Sequence, residues 1–217
     1  MTNLTSLISH LILKDSSKRM KILDLGSGLV NKKMEELLKK YRNSFNYTAV
    51  DMKTPYSIFS LETNDNIKSL EKVTTGDWIT KINNSFRYFE DINVKAINET
   101  EFNEMFHFEF GKDAFEYCKE NEFKEKYDIV IISNLLHFLD LKIAEELTRL
   151  CISMLNENGI IYICVFNSEQ TSYKVRNPYS RLKFDSLKKG LQVIEEIYNA
   201  PLHHELLGKK ISDYNSG

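Results

Sequence analysis

The chain predicts an α/β protein with a doubly wound, mostly parallel sheet, and three observations carry that expectation. Short apolar runs recur at 20–25, 46–51, 106–110, 127–133 and 160–166. They are near-continuous rather than alternating, as in strands covered on both faces. Between runs the period changes to that of a helix: Met34, Leu37, Leu38 and Tyr41 share one face, and a helical stretch over 141–155 joins the fourth run to the fifth. Finally, the first run ends on Asp24 and breaks into Gly26-Ser27-Gly28 before the next helical pattern opens near Asn31. A strand, a tight turn and a helix start in that order open a right-handed crossover.

Taken in order, the chain begins with Leu4, Leu7, Ile8, Leu11 and Ile12 at helical spacing, ended by Asp15-Ser16-Ser17. The strand 20–25 follows, then the glycine turn, then a helix to about Arg42 that Asn31 can cap. The strand 46–51 again ends on an acid, Asp51. Residues 52–105 exceed an ordinary connection, with polar clusters alternating with aromatic pieces such as Phe86-Arg87-Tyr88-Phe89. Two readings stand for this insertion: extra helices on the sheet edge, or a lid over a ligand. Order returns with the strand 106–110, then Gly111-Lys112-Asp113-Ala114-Phe115 and a helix through about Glu122. The run 127–133 is the clearest buried strand, and 134–139 is read as a turn into the helix 141–155. Asn156-Glu157-Asn158-Gly159 is expected to stop that helix before the strand 160–166. A polar, aromatic and basic loop over 167–183 is a candidate substrate loop. A short helix over 185–189, ended by Gly190, leads to strand-like runs at 191–198 and 204–214, expected to pair as an antiparallel hairpin. The whole, 1–217, is read as a single domain.

Composition bounds the partners. The 217 residues, 42% hydrophobic and 28% charged, are enough for one full core in a soluble globular protein. A net charge of -2 carries no electrostatic footprint for nucleic acid or an anionic membrane. No apolar stretch approaches the ~20 residues of a transmembrane helix, and the first fourteen residues lack the pattern of a signal peptide. A cytoplasmic protein is expected. Cys118, Cys151 and Cys164 have no metal-ligand spacing and read as core thiols, and no metal is expected.

The stretch 21–30 organises the functional reading. Glycine lets backbone approach a ligand without an intervening Cβ, and N–H groups at the following helix start point outward. With Asp51 one crossover later, the unit is a mononucleotide-binding half. This indicates a cofactor bearing adenosine. A nicotinamide enzyme fits poorly, because G-x-G-x-x-G would need glycine at Asn31 and its first strand rarely ends on an acid.

Four segments in order, Leu23-Asp24-Leu25-Gly26-Ser27-Gly28, Val50-Asp51, Asp113-Ala114 and the run from Tyr127 to His137, resemble the successive motifs of the class I S-adenosylmethionine-dependent methyltransferases. The resemblance covers about 20–166, and the terminal hairpin suits that family's Rossmann-like seven-stranded sheet. It implies S-adenosyl-L-methionine as cofactor, with Asp24, Gly26, Ser27 and Gly28 around its methionine end and Asp51 accepting from the ribose hydroxyls. It further implies Asp113 and the Ala114 N–H at the adenine edge, Met52 or Phe115 against the adenine face, and Asn134 with Leu135 lining the methyl region. Each acid also has a plainer reading as a helix cap or surface acid. Two departures stand out: Val30 replaces the family's third glycine, and the insertion 52–105 is long.

Methyl transfer from a sulfonium asks the protein for alignment rather than a nucleophile, so no catalytic residue is assigned. His137, just past the fourth strand, is the best-placed candidate for a general base on the acceptor side, with a packing or loop residue as the plainer reading, and the loop with Tyr173, Arg176, Tyr179 and Arg181 reads either as a holder of an anionic or aromatic acceptor or as a solvated loop with ordinary arginines. His203-His204, expected in the hairpin turn, can reach the same side. Asn177-Pro178-Tyr179 resembles the N-P-P-Y signature of adenine- and glutamine-methylating relatives but follows the fifth strand instead of the fourth, and is read as loop. The expected acceptor is a small molecule. The alternatives are a non-catalytic cofactor-binding or scaffold protein and a protein or RNA methyltransferase, the last disfavoured by the absence of a basic patch.

Overall fold

The computed structural model describes residues 18–27, 44–52, 106–166, 179–197 and 203–211, with Ser6, Ile8, Ser9, Leu11, Thr100 and Glu104. Seven strands form one sheet: β1 (Met20–Leu25), β2 (Phe45–Asp51), β3 (Phe106–Phe110), β4 (Tyr127–Ser133), β5 (Leu155–Phe166), β6 (Leu191–Ile197) and β7 (His203–Lys210). Their order across the sheet is β3-β2-β1-β4-β5-β7-β6. The first five are parallel, and β7 runs antiparallel to both β5 and β6. Helix α1 (Ala114–Asn121) precedes β4, α2 (Leu141–Ser153) links β4 to β5, and α3 (Arg181–Ser186) precedes β6. The predicted fold class, parallel core and closing antiparallel pair are all present.

Burial explains why the strand runs lack alternation. One face, with Leu23, Leu25, Val50, Val130, Ile132, Ile161 and Ile163, packs against Ala144, Leu147 and Cys151 of α2 and Tyr117 and Cys118 of α1. By the strand's period of two, Ile22, Tyr47, Ile129, Ile131 and Tyr162 turn to the other face, and they are buried too. The described residues of the first predicted helix, Ser6, Ile8, Ser9 and Leu11, are helical, and Ile8 is wholly buried. All three cysteines are buried and free, as core thiols should be. The predicted helix over 31–42 and the insertion from Lys53 to Glu99 lie outside the described residues.

Boundaries shift at three places. The helix before β5 ends at Ser153 with Met154 as its cap, and Asn156-Glu157-Asn158-Gly159 belongs to the strand rather than stopping the helix. Pairing with β4 has priority there: Tyr127 N–H donates to the Met154 carbonyl at 2.8 Å, Leu155 pairs with Tyr127, and the register then slips to Ile129 with Ile160. The polar residues form the bulge of that slip, held by Asn156 Nδ2 donating to Asp128 Oδ1 at 2.7 Å. Gly159 is required inside it, since an added Cβ would sit 2.9 Å from the Asn156 carbonyl oxygen. Second, α3 begins at Arg181, four residues before the predicted start, because burial of Tyr179 and Phe184 anchors the chain there. Gly190, at φ 85°, ends the turn after it as expected. Third, His203 and His204 lie in β7 itself, not in the hairpin turn.

Removing volume from the doubly covered sheet should be expensive. Ile132→Ala, at a site with 0% exposure, is expected to lower unfolding free energy by about 2–5 kcal/mol in urea titration, while Val193→Ala on the edge strand, 40% exposed, changes it by less than about 1 kcal/mol.

Candidate functional site along the strand ends

Parallel pairing brings the carboxyl ends of β1 to β5 to one edge, and the strand order reverses between β1 and β4. A crevice opens outside the strand ends at such a switch point. The residues singled out in the sequence collect there. Asp24 stands level with Ala49 of β2 and Ile131 of β4, and Asp51 ends β2 opposite Phe110. Asp113 and Ala114 follow β3, and Asn134 follows β4. Gly28, Tyr173 and Arg176 lie outside the described residues.

Asp24 is the most perturbed acid on this edge. Its side chain is 4% exposed and accepts a hydrogen bond from Tyr47 Oη, one strand over. Burial dominates, the nearby Asp51 charge adds to it and the Tyr47 bond only partly opposes it, so the carboxyl is pushed up from 3.8 to about 7. The Tyr47 hydroxyl is raised in turn, first by burial and then by Asp24. Tyr47 escaped the sequence reading because one tyrosine in an apolar strand carries no motif. Its signal is positional: it pairs with Ile22, two residues before Asp24 on the same face of the sheet.

The glycine turn is built by the neighbouring strand. Gly26 has φ 68°, a left-handed conformation, and its N–H donates to the Val50 carbonyl at 2.8 Å. Ser27 N–H reaches the same oxygen at 3.4 Å. These two N–H groups therefore extend the β1–β2 ladder, and the helix start whose N–H groups are expected to point outward lies outside the described residues. An added Cβ on Gly26 would lie 3.1 Å from Leu135 Cβ, so the first and fourth motifs touch here. Across the edge, the Asp51 carbonyl accepts from Gly111 and Lys112 N–H at 2.8 and 3.2 Å, fixing the turn after β3 to the end of β2. The Asp51 carboxylate is half-buried and Met52 beside it is 69% exposed.

Asp113 has a structural duty as well. Its Oδ1 accepts from Phe115 N–H at 2.8 Å and Glu116 N–H at 3.2 Å, capping α1, and Ala114 is buried as the helix begins. Oδ2 takes no part in the cap. Asn134, with φ 58°, is the one non-glycine residue among those described with positive φ. Its N–H donates to the Cys164 carbonyl at 2.9 Å, tying the end of β4 to β5 and leaving the side chain exposed. Asparagine tolerates that conformation better than most side chains.

Beyond Asn134 the edge changes character. A 3-10 turn over Leu136–Phe138 brings His137 against Phe166 at the end of β5, edge to face, with ring centroids 4.6 Å apart. Phe138 lies 4.2 Å from His137, and Phe166 stacks at 4.5 Å on His203 of β7. His137 is 1% exposed and its Nδ1 has no hydrogen-bond partner. Burial, then the neighbouring His203, lowers His137 to about 4, and burial also lowers His203. His204 is wholly buried beside Phe184 and does not reach this edge. Tyr179 is likewise 1% exposed, its N–H donating to the Phe166 carbonyl, so it belongs to the core and not to a substrate loop. Among the described residues no cluster of three or more potential metal ligands occurs, and no helix is long and apolar enough to cross a membrane.

No protein-family model matches the chain, and no curated protein matches its sequence. Solved structures do match its fold. The 1,6-didemethyltoxoflavin-N1-methyltransferase of Burkholderia thailandensis, with bound 1,6-didemethyltoxoflavin and S-adenosylhomocysteine, superposes with a TM-score of 0.56 at 14% identity over 95% of this chain and 76% of that one. The N-methyltransferase NodS of Bradyrhizobium japonicum WM9 in complex with S-adenosylhomocysteine gives 0.54 at 10% identity over 96% and 86%. Magnesium protoporphyrin IX methyltransferase of Synechocystis PCC 6803, with bound S-adenosylhomocysteine, gives 0.55 at 9% over 96% and 83%. The chain has the class I methyltransferase fold. Within that fold, the acids of β1 and β2 and the turns after β3 and β4 occupy the switch-point edge.

Two outcomes follow from this geometry. Because Asp24 titrates near 7 when folded and near 3.8 in its ordinary state, the folded chain holds a proton that the unfolded chain has released between those values. The Asp24 contribution to stability is therefore present at low pH and is lost as pH rises from about 4 to about 7. Asp24→Asn should remove that slope, leaving the variant more stable than the parent by roughly 2–4 kcal/mol at pH 8 and about equal at pH 4, read from urea midpoints. Gly26→Ala should destabilise by about 1–3 kcal/mol in the same assay, from the left-handed backbone and the Leu135 contact together.

Proposed function

We propose that this protein is an S-adenosyl-L-methionine-dependent methyltransferase acting on a small molecule. The observation that carries the reading is the placement of Asp24, Asp51, Asp113 and Asn134 at or just beside the carboxyl ends of four parallel strands, on the edge where strand order reverses. Neighbours of the same fold hold S-adenosylhomocysteine, and one of them holds 1,6-didemethyltoxoflavin as well.

The residues present fit such a cofactor. Asp24 is a buried carboxyl whose one side-chain hydrogen-bond partner among the described residues is the Tyr47 hydroxyl, and an ammonium group nearby would favour its ionised form. Asp51 is a half-buried carboxylate able to accept two hydroxyl donors at once. Oδ2 of Asp113 and the N–H at the start of α1 suit an adenine edge, with Met52 against the ring. Gly26, Ser27 and Gly28 would flank the methionine end. When bound, S-adenosyl-L-methionine supplies the activated methyl group. The chain's share is alignment and exclusion of water: Leu135 closes the floor against Gly26, and Asn134 projects from the strand end where the acceptor meets the methyl group. His137 and His203 would line the acceptor side as neutral imidazoles. An imidazole lowered to about 4 is a weak base, so His137 acts as a hydrogen-bonding wall residue and not as the proton acceptor. Tyr173 and Arg176, outside the described residues, are candidates for the substrate side from the sequence alone.

Calorimetric titration tests this. S-adenosylmethionine and S-adenosylhomocysteine should both bind the parent chain, and Asp51→Ala should weaken each at least about tenfold through loss of charge-assisted hydrogen bonds. Binding of neither at millimolar concentration would falsify the proposal. Transfer of a labelled methyl group into a metabolite pool, rather than a protein or RNA pool, is the expected result for the acceptor class.

A further inference from the structure

Strands β1 and β2 set a hydroxyl and two carboxyls on one face of the sheet. Tyr47 pairs with Ile22 and Ala49 with Asp24, so by the strand's period of two Tyr47, Asp24 and Asp51 project to the same side. Tyr47 stands two residues behind the level of Asp24, a gap of about 7 Å along the strands. Its side chain spans that gap, and Oη donates to Asp24 Oδ2. The bond arrives from the interior. Tyr47 is 1% exposed and lies on the amino side of Asp24, away from the carboxyl edge of the sheet. Among the described residues no group donates to the other oxygen, Oδ1.

The surroundings of this pair are simple. The titratable groups among the described residues that act on Asp24 are Tyr47 and Asp51, both on β2. On its other side β4 presents Ile129 and Ile131. Burial first, and Asp24 second, raise the Tyr47 hydroxyl well above its ordinary value. Tyr47 therefore keeps its proton at neutral pH, and the direction of the bond is fixed.

Resting on the methyltransferase reading above, we infer that Tyr47 is a positioning residue for the cofactor, holding Asp24 by Oδ2 from behind so that Oδ1 meets the ammonium of the methionine end. Tyr47 acts on the ligand only through Asp24. The pair thus reads the amino-acid end of the cofactor and not its adenosine, which falls to Asp51 and Asp113. Proton release accompanies this recognition. Burial pushes the Asp24 carboxyl up to about 7 in the free chain, so at neutral pH it carries a proton much of the time. That proton leaves Oδ1 for solvent as an ammonium N–H takes its place, and no covalent bond of the cofactor changes. Binding is accordingly weak at low pH and strengthens as pH rises toward 7, because the ligand's positive charge favours the ionised carboxylate. The Tyr47 bond lowers the Asp24 value, so its loss moves that rise to higher pH.

Calorimetry on the full chain tests this with two ligands. S-adenosylhomocysteine carries the amino-acid end, and 5′-methylthioadenosine keeps the adenosine but lacks it. The parent should bind S-adenosylhomocysteine about tenfold tighter at pH 8 than at pH 6. Titration in two buffers of different ionisation enthalpy should show net proton release at pH 6.5. Tyr47→Phe, which keeps the ring, should weaken S-adenosylhomocysteine at least about fivefold at pH 7 and move the pH midpoint upward. The same variant should leave 5′-methylthioadenosine within about twofold of the parent, a split that general damage to the pocket would not produce. Asp24→Asn should abolish both the pH slope and the proton release. Where the analogue binds too weakly to measure, urea midpoints report folding and the upward shift of the pH midpoint decides. A parent whose affinity is flat in pH with no proton release overturns the inference. So does a Tyr47→Phe variant that weakens both ligands equally or leaves the pH midpoint in place. In each of these cases the methyltransferase reading stands, because the parent still binds the cofactor product. Absence of S-adenosylhomocysteine binding removes both.

Discussion

A sheet buried on both faces confines its polar chemistry to the ends of its strands. That constraint governs this molecule. Strands β1, β4 and β5 are lined with Ile, Leu and Val because helices cover one face and further chain covers the other, and an unpaired polar group in such a strand would lack both water and partner. The parallel arrangement then brings five carboxyl ends to a single edge, and reversal of order between β1 and β4 keeps the crossovers from covering it. Everything proposed here about ligands depends on that edge.

Asp24 is the place where the rule is broken. It lies within β1, behind the end of the strand, and is almost wholly buried. Its one described side-chain partner is a tyrosine that cannot neutralise it, so burial raises its pKa into the neutral range. A carboxyl kept in that state is poorly suited to a purely structural purpose, for which asparagine or an apolar residue would serve better. It is well suited to a ligand that brings its own positive charge, because the charge supplied on binding offsets the desolvation the fold imposes. Desolvation and the proposed function thus meet at one residue, and the Tyr47 bond partly limits the shift.

Most of the architecture was legible in the residues because its determinants are local. The runs at 20–25, 106–110 and 127–133 match β1, β3 and β4 residue for residue, since a continuous apolar run bounded by turn residues has few other places to go. Asp24, Gly26, Asp51, Asp113 and Asn134 were legible as candidates because each lies at or just past the carboxyl end of such a run. What escaped was set by partners distant in sequence. Asn156 to Gly159 resemble a turn and are one by composition, but pairing of Leu155 with Tyr127 draws them into β5 as a bulge. Tyr179 resembled part of a polar loop until its N–H paired with the Phe166 carbonyl and its ring entered the core. Tyr47, Phe138 and Phe166 carry no motif, and their importance comes only from what packs beside them.

The division of the edge into an acidic half and an aromatic half has its own logic. A sulfonium cofactor is cationic, and carboxylates that hold it at one end would repel an anionic acceptor placed beside them at short range. Separating the two by the strand ends of β4 and β5, with the left-handed Asn134 at the boundary, places neutral rings where the acceptor is proposed to bind. On this view the low basicity of His137 serves the site: a protonated imidazole beside a sulfonium would be repelled by it, whereas a neutral one can hold an acceptor hydroxyl or N–H in line with the methyl group at neutral pH.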